Sequence, residues 1–163
     1  MDEARIGFGW PPSARDPAAP RIETEVAIAA PRERVFDFVT TPALWHRWHP
    51  ATLGVSGAPP RPLLAGESVV EHIRAGGRRF DATWTVLACE RPALWVIATQ
   101  AEPGAARIAY TLAEAALGCR FRRVLEFRSH RLPWRALDGS LARWVLARQS
   151  ARALANLKTA VEG

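Results

Sequence analysis

Apolar and polar residues interleave over residues 21–28, RIETEVAI, where Ile22, Val26 and Ile28 are separated by Glu23 and Glu25. A period of two is that of a half-buried strand, and Pro31 ends it. The spacing then lengthens. In PRERVFDFV, residues 31–39, proline opens the first turn and Glu33 lies near the positive end of the helix dipole, while Val35, Phe36 and Val39 make an apolar stripe. These features predict a helix. Thr41-Pro42 breaks it, and Thr41 is placed to cap a second short helix running through ALWHRW to Pro50.

After a Pro/Gly-rich connection, GAPPRPLLAG, come five runs of strand character: GESVVEHIRA, RRFDATWTVLA, ALWVIATQ, ARIAYTLAE and CRFRRVLEFR. Turn signals at Gly76-Gly77, Arg91-Pro92, Pro103-Gly104 and around Gly118 separate them, which predicts an antiparallel meander. From about Gly139 to Val161 proline is absent, and Leu141, Trp144, Val145, Ala151, Leu154, Leu157 and Val161 recur at helical spacing. This predicts a long amphipathic C-terminal helix. The layout is α+β, with helices on one face of a curved sheet.

The turns also fix which residues share a face. With Gly76-Gly77 as a two-residue hairpin turn, Ala75 faces Arg78, Ile73 faces Phe80, Glu71 faces Ala82 and Val69 faces Trp84. That set is the apolar one and is expected to face the helix. The other face carries His72 with Asp81 and Ser68 with Thr85. Continuing through turns at Glu90 to Ala93 and Glu102 to Ala105 adds Trp95, Ile97 and Thr99, then Ile108, Tyr110 and Leu112, to the inner face. In the last strand Cys119, Phe121, Leu125 and Phe127 share the inward phase.

Two inward positions are charged: Glu71 and Arg123. Tyr110, the only tyrosine, falls opposite Arg123 if the loop from Ala115 to Gly118 has four residues. A buried charge costs several kcal/mol unless paired or solvated, so a pocket lined by Glu71, Tyr110 and Arg123 is one solution. A direct Glu71–Arg123 pair, or strand-end side chains reaching solvent, is the other. Trp48, Phe80, Trp84, Trp95, Ile97, Phe121 and, from the long helix, Trp144 are candidates to line a slot for a flat or elongated apolar ligand. Arg148, one turn beyond Trp144, is in reach of an anionic head group. The outer face is partly apolar too, with Leu87, Leu94, Val96, Ala98 and Val124. The candidate covers are a second copy of the chain, making a homodimer, or the N-terminal residues Phe8 and Trp10.

Composition narrows the function. The chain has 163 residues, 48% of them hydrophobic, enough for one buried core. Residues 1–20 hold four prolines and two glycines and are expected to be an extension ahead of a single domain, 21–163. The formal charge is +6, but Lys158 is the only lysine and the arginines are spread along the chain. Nucleic-acid faces cluster their cations, so no nucleic-acid partner is expected. The acidic start MDEARIGFGW has no apolar segment of a secretory signal, and no stretch is long enough to span a bilayer, so a cytoplasmic protein without membrane insertion is expected.

Chemical motifs are few. Cys89 and Cys119 lack metal or redox spacing. His46 and His49 are three apart in TPALWHRWHP but have no third ligand near in sequence, so no metal is expected. No P-loop, dinucleotide glycine motif, HExxH or GxSxG occurs, so no cofactor is expected.

The stretch AIAAPRERVFDFVTTPALWHRWHP, with the final RQSARALANLKTAVEG, resembles the START-like superfamily, also called SRPBCC or polyketide cyclase/dehydrase-like. The resemblance rests on Ala30-Pro31, Val35-Phe36, Pro42, Trp45 and Trp48 and spans roughly residues 21–161. It implies a helix-grip fold, a bent seven-stranded antiparallel sheet around the C-terminal helix, with a cavity between them. Family members bind apolar small molecules, catalyse cyclisation or dehydration, or act as chaperone cofactors. The resemblance thus implies a small hydrophobic ligand such as a lipid, polyketide or aromatic metabolite. The alternatives it leaves open are a cofactor-independent cyclase or dehydratase, with Glu71 as base and Tyr110 or Arg123 polarising a carbonyl, and a protein-interaction module.

Overall fold

The computed structural model describes residues 19–75, 77–101, 104–129 and 141–163. Its elements are β1 (Arg21–Ile28), α1 (Arg32–Thr40), a 3₁₀ helix (Pro42–Arg47), β2 (Thr52–Ser56), β3 (Ser68–Ala75), β4 (Arg78–Glu90), β5 (Leu94–Ala101), β6 (Gly104–Ala115), β7 (Gly118–Ser129) and α2 (Leu141–Glu162). One seven-stranded antiparallel sheet has the order β1-β7-β6-β5-β4-β3-β2. It is the helix-grip arrangement: the chain runs from β1 through the short helices to the far edge of the sheet and returns strand by strand to pair β7 with β1.

The register matches the phase that the turns dictate. Ala75 pairs with Arg78, Glu71 with Ala82 and Val69 with Trp84, and Tyr110 pairs with Arg123. One register shift, between Val86 and Ala88, leaves both Val86 and Trp95 buried on the inner side. The strand that periodicity does not show is β2. It is five residues long, contains Gly54 and a register shift, and forms an edge of the sheet. Alternation cannot be read over so short and irregular a run.

Helix α1 buries Val35, Phe36, Val39 and Thr40. The 3₁₀ helix beside it is pinned by Trp45 Nε1 donating to the Val39 carbonyl at 2.9 Å, and Asn156 of α2 donates to the Trp48 carbonyl at 3.2 Å. The C-terminal end of α2 grips β1: Lys158 Nζ donates to the Ala27 carbonyl at 2.9 Å, and the Ala29 N–H donates to Glu162 at 2.6 Å. At the β6–β7 turn, Gly118 has φ +133°, and a Cβ there would lie 2.1 Å from the Ile28 carbonyl oxygen. Only glycine allows β1 and this turn to close so tightly.

The convex face differs from its sequence-based picture. Val96, Ala98 and Val124 lie on that face yet are buried within a single chain. Leu87 and Leu94, the other apolar residues expected there, stay half-buried. Phe8 and Trp10, Gly76, Pro103 and His130 lie outside the described residues.

Candidate functional site: a cavity under the curved sheet

The inner face of the sheet is not filled along its whole length. Toward one end, α1, the 3₁₀ helix and a cluster of rings close the core: Trp95 stacks on Tyr110 with centroids 5.5 Å apart, Phe121 lies 5.2 Å from Tyr110, and Trp45 meets Trp95 edge-on. Toward the other end a cavity of about 260 Å³ opens between the sheet and α2. Its apolar wall comes from Phe80, Trp84, Ile97 and Ile108 on the strands and Leu146 on α2.

Glu71, Tyr110 and Arg123 all line this cavity and all are buried, Glu71 at 5% exposure and Arg123 at 3%. Glu71 does not pair with Arg123; among the described residues no ion pair joins them. Instead Glu71 Oε2 accepts from Trp84 Nε1 at 2.7 Å, and Oε1 accepts from the Thr52 hydroxyl. Burial pushes the Glu71 carboxyl up, with the Thr52 and Trp84 hydrogen bonds and the Arg123 charge pulling back. Arg123 Nη1 donates to Ser150 Oγ of α2 at 2.7 Å, while its Nε has no partner. Burial likewise raises the Tyr110 phenol against the opposing charge and hydrogen bond of Arg123.

Two further site residues escape a reading of strand phase. His49 Nδ1 lies 3.3 Å from Thr52 Oγ1, so His49, Thr52 and Glu71 form one hydrogen-bonded chain in the cavity wall. With the single hydroxyl proton of Thr52 directed at Glu71, His49 Nδ1 is the donor to Thr52. Desolvation and the nearby Arg123 charge lower the His49 pKa to about 3, which keeps the imidazole neutral. His49 follows the 3₁₀ helix, and Thr52 starts β2; their link to Glu71 crosses 19 residues. Recognising TLGVS as a strand, with Val55 paired to Glu71, is the signal that finds it.

The remaining candidates divide. Trp48, Phe80, Trp84 and Ile97 line the cavity, and so does Trp45. Trp95 and Phe121 have the inward phase but belong to the closed end: both are fully buried, and Trp95 Nε1 donates to the Leu63 carbonyl at 3.1 Å. Trp144 and Arg148 are not in the cavity. Trp144 is 56% exposed, with the Arg148 guanidinium over its ring at 5.4 Å. The residues of α2 that face the cavity are Leu146, Gln149 and Ser150. Trp144 and Arg148 each lie two positions from Leu146, about 200° around the helix, which turns them to the opposite side.

A second polar chain lies on the convex side. His72 Nε2 is 2.8 Å from Ser56 Oγ, and His72 Nδ1 is 2.7 Å from Asp81. The atom order is that of a hydrolytic triad, but these residues are not part of the cavity wall and Asp81 is largely exposed. Read structurally, it is a cross-strand surface network. His46 is exposed, and no cluster of three or more metal-ligating side chains occurs among the described residues. No helix among them is long and apolar enough to cross a membrane.

Solved structures show the same fold. A START superfamily protein from Mycobacterium smegmatis superposes with a TM-score of 0.73 at 13% identity, covering 87% of this chain and 97% of its own. Protein CV1439 from Chromobacterium violaceum gives 0.67 at 16% identity, over 88% and 98%. The di-domain ARO/CYC BexL of the BE-7585A biosynthetic pathway gives 0.69 at 20% identity, covering 88% of this chain and 50% of that one. At these identities the likeness speaks for the fold alone. Among curated proteins, none matches this chain in sequence. The family model described as polyketide cyclase / dehydrase and lipid transport, however, matches residues 19–162, nearly the whole described fold, and the chain belongs to that family.

Proposed function

We propose that this chain binds a small hydrophobic molecule in the cavity between the sheet and α2. The observation that carries the reading is the cavity itself: about 260 Å³, walled by Phe80, Trp84, Ile97 and Ile108, with a few polar groups converging from β3, β6 and β7. That mixture of apolar wall and sparse oriented polar atoms is the usual make-up of a small-molecule site. An interaction module that holds no ligand has no need of such a space. Native mass spectrometry of the purified chain tests it. A bound mass released by organic solvent, or saturable binding of the uncharged probe N-phenyl-1-naphthylamine, is expected; absence of both overturns the reading.

A second reading has its own observation. The His49–Thr52–Glu71 chain joins a carboxyl whose pKa is raised to an imidazole held neutral, with both at the cavity wall. Glu71 can take a proton from one atom of a bound molecule and return it to another, while the Trp84 and Thr52 hydrogen bonds hold the carboxyl in place. Such a chain suits general acid/base work in a cofactor-independent cyclisation or dehydration. Glu71→Gln retaining full turnover of an identified substrate would sink it.

A further inference from the structure

Arg123 is an incompletely satisfied cation in the cavity wall. A guanidinium has five N–H donors and carries its charge across the physiological range. Ser150, a neutral residue, takes one donor, Tyr110 is the cross-strand neighbour, and Nε has no partner among the described residues. The groups whose fields meet Arg123 are Glu71 on β3, Tyr110 on β6 and His49 after the 3₁₀ helix. Among the described residues Glu71 is the acidic group whose field meets it, and Glu71 is held instead by Thr52 and Trp84. A cation at 3% exposure with no anion in contact among the described residues is costly.

A second orphan belongs to the same wall. Trp48 is 1% exposed and lines the cavity, yet its indole N–H has no acceptor. The other indoles of the site each have one: Trp45 the Val39 carbonyl and Trp84 the Glu71 carboxyl. The Trp48 ring packs 6.1 Å from Tyr110, and Tyr110 is the cross-strand partner of Arg123. Two buried N–H groups from different elements, Arg123 Nε and Trp48 Nε1, thus lie to either side of Tyr110 without an acceptor among the described residues. An uncharged hydrocarbon would leave both unpaired; an anionic oxygen pair would satisfy both and balance the charge.

We propose that the molecule this cavity takes is a carboxylate: a ring-sized apolar body against Phe80, Trp84 and Ile97, and an anionic head on Arg123 with the Trp48 N–H as its second donor. The assignment rests on the reading of the cavity as a ligand site and names the class of ligand.

The test compares 2-naphthoate with its uncharged isostere 2-naphthamide, by calorimetric titration of the full chain at neutral pH. Wild type is expected to favour the naphthoate by about tenfold or more, the size of one charge-assisted hydrogen bond. Arg123→Gln should abolish that preference while still binding the amide. Equal affinities in wild type, or a preference that survives Arg123→Gln, overturns the carboxylate assignment and leaves the apolar cavity standing. Binding of neither compound overturns both. If Arg123→Gln does not fold, Trp48→Phe decides: naphthoate binding weakened several-fold supports the assignment, and unchanged binding overturns it.

Discussion

Trp84 Nε1 donates to Glu71 Oε2 at 2.7 Å, diagonally across the β3–β4 pair, at a position where the strand pattern calls for an apolar side chain. The bond satisfies a carboxyl that burial drives toward its neutral form. Stability should therefore depend on pH through this residue. The folded pKa stands above the ordinary 4.5, so the folded chain holds the proton more tightly than the unfolded one. The associated stabilisation is complete below 4.5 and is withdrawn as pH rises through the raised value. Urea unfolding of wild type and Glu71→Gln over a pH series should show the wild-type advantage shrinking as pH rises. An advantage that grows with pH contradicts the assignment.

His49 predicts the opposite slope. Its pKa falls from 6.5 to about 3 on folding, because burial and the Arg123 charge disfavour the imidazolium. The stabilisation is present above 6.5 and is lost as pH drops through that value toward 3. At about 1.4 kcal/mol per unit, the loss over the whole window is on the order of several kcal/mol. His49→Asn should flatten the acid limb of the stability curve. An acid limb as steep in the variant as in wild type would show that the proton goes elsewhere.

Gly118 tests how β1 joins the sheet. An alanine there meets the Ile28 carbonyl oxygen at 2.1 Å and the Ala30 nitrogen at 2.7 Å, with φ at +133°. Backbone atoms cannot yield as a flexible side chain can. Gly118→Ala is expected to cost about 3 kcal/mol or more in chemical denaturation. Gly54→Ala serves as the comparison, since a Cβ there meets nothing within 4 Å. Similar losses in the two variants would contradict the role given to the Gly118 contact.

The sheet was legible because its hairpins are tight. Ala75 facing Arg78 and Ala115 facing Gly118 leave almost no freedom in register, so the inward phase, including Glu71, Tyr110 and Arg123, follows from turn chemistry. Phase says nothing of position along the strand. Trp95 and Phe121 therefore read like cavity residues although they pack the closed end. The N-terminal turns of α2 misled for another reason: Trp144 is large and apolar, but the inward stripe runs through Leu146, Ser150, Ala153, Leu157 and Val161. His49 and Thr52 were hidden because their partner is remote in sequence and β2 is too short to show a period.

The cavity itself can be filled. Ala106 on β6 lines it, half-buried, opposite Thr99 on one side and Phe127 on the other. Ala106→Leu projects an isobutyl group into empty space in place of a methyl, adding apolar contact without displacing a packed neighbour. The melting temperature should hold or rise, while binding of N-phenyl-1-naphthylamine should weaken by about tenfold or more as the volume disappears, a loss of about 1.4 kcal/mol. Binding that withstands the substitution would place the ligand outside this cavity, and a large fall in stability would mean that the space is not open at Ala106.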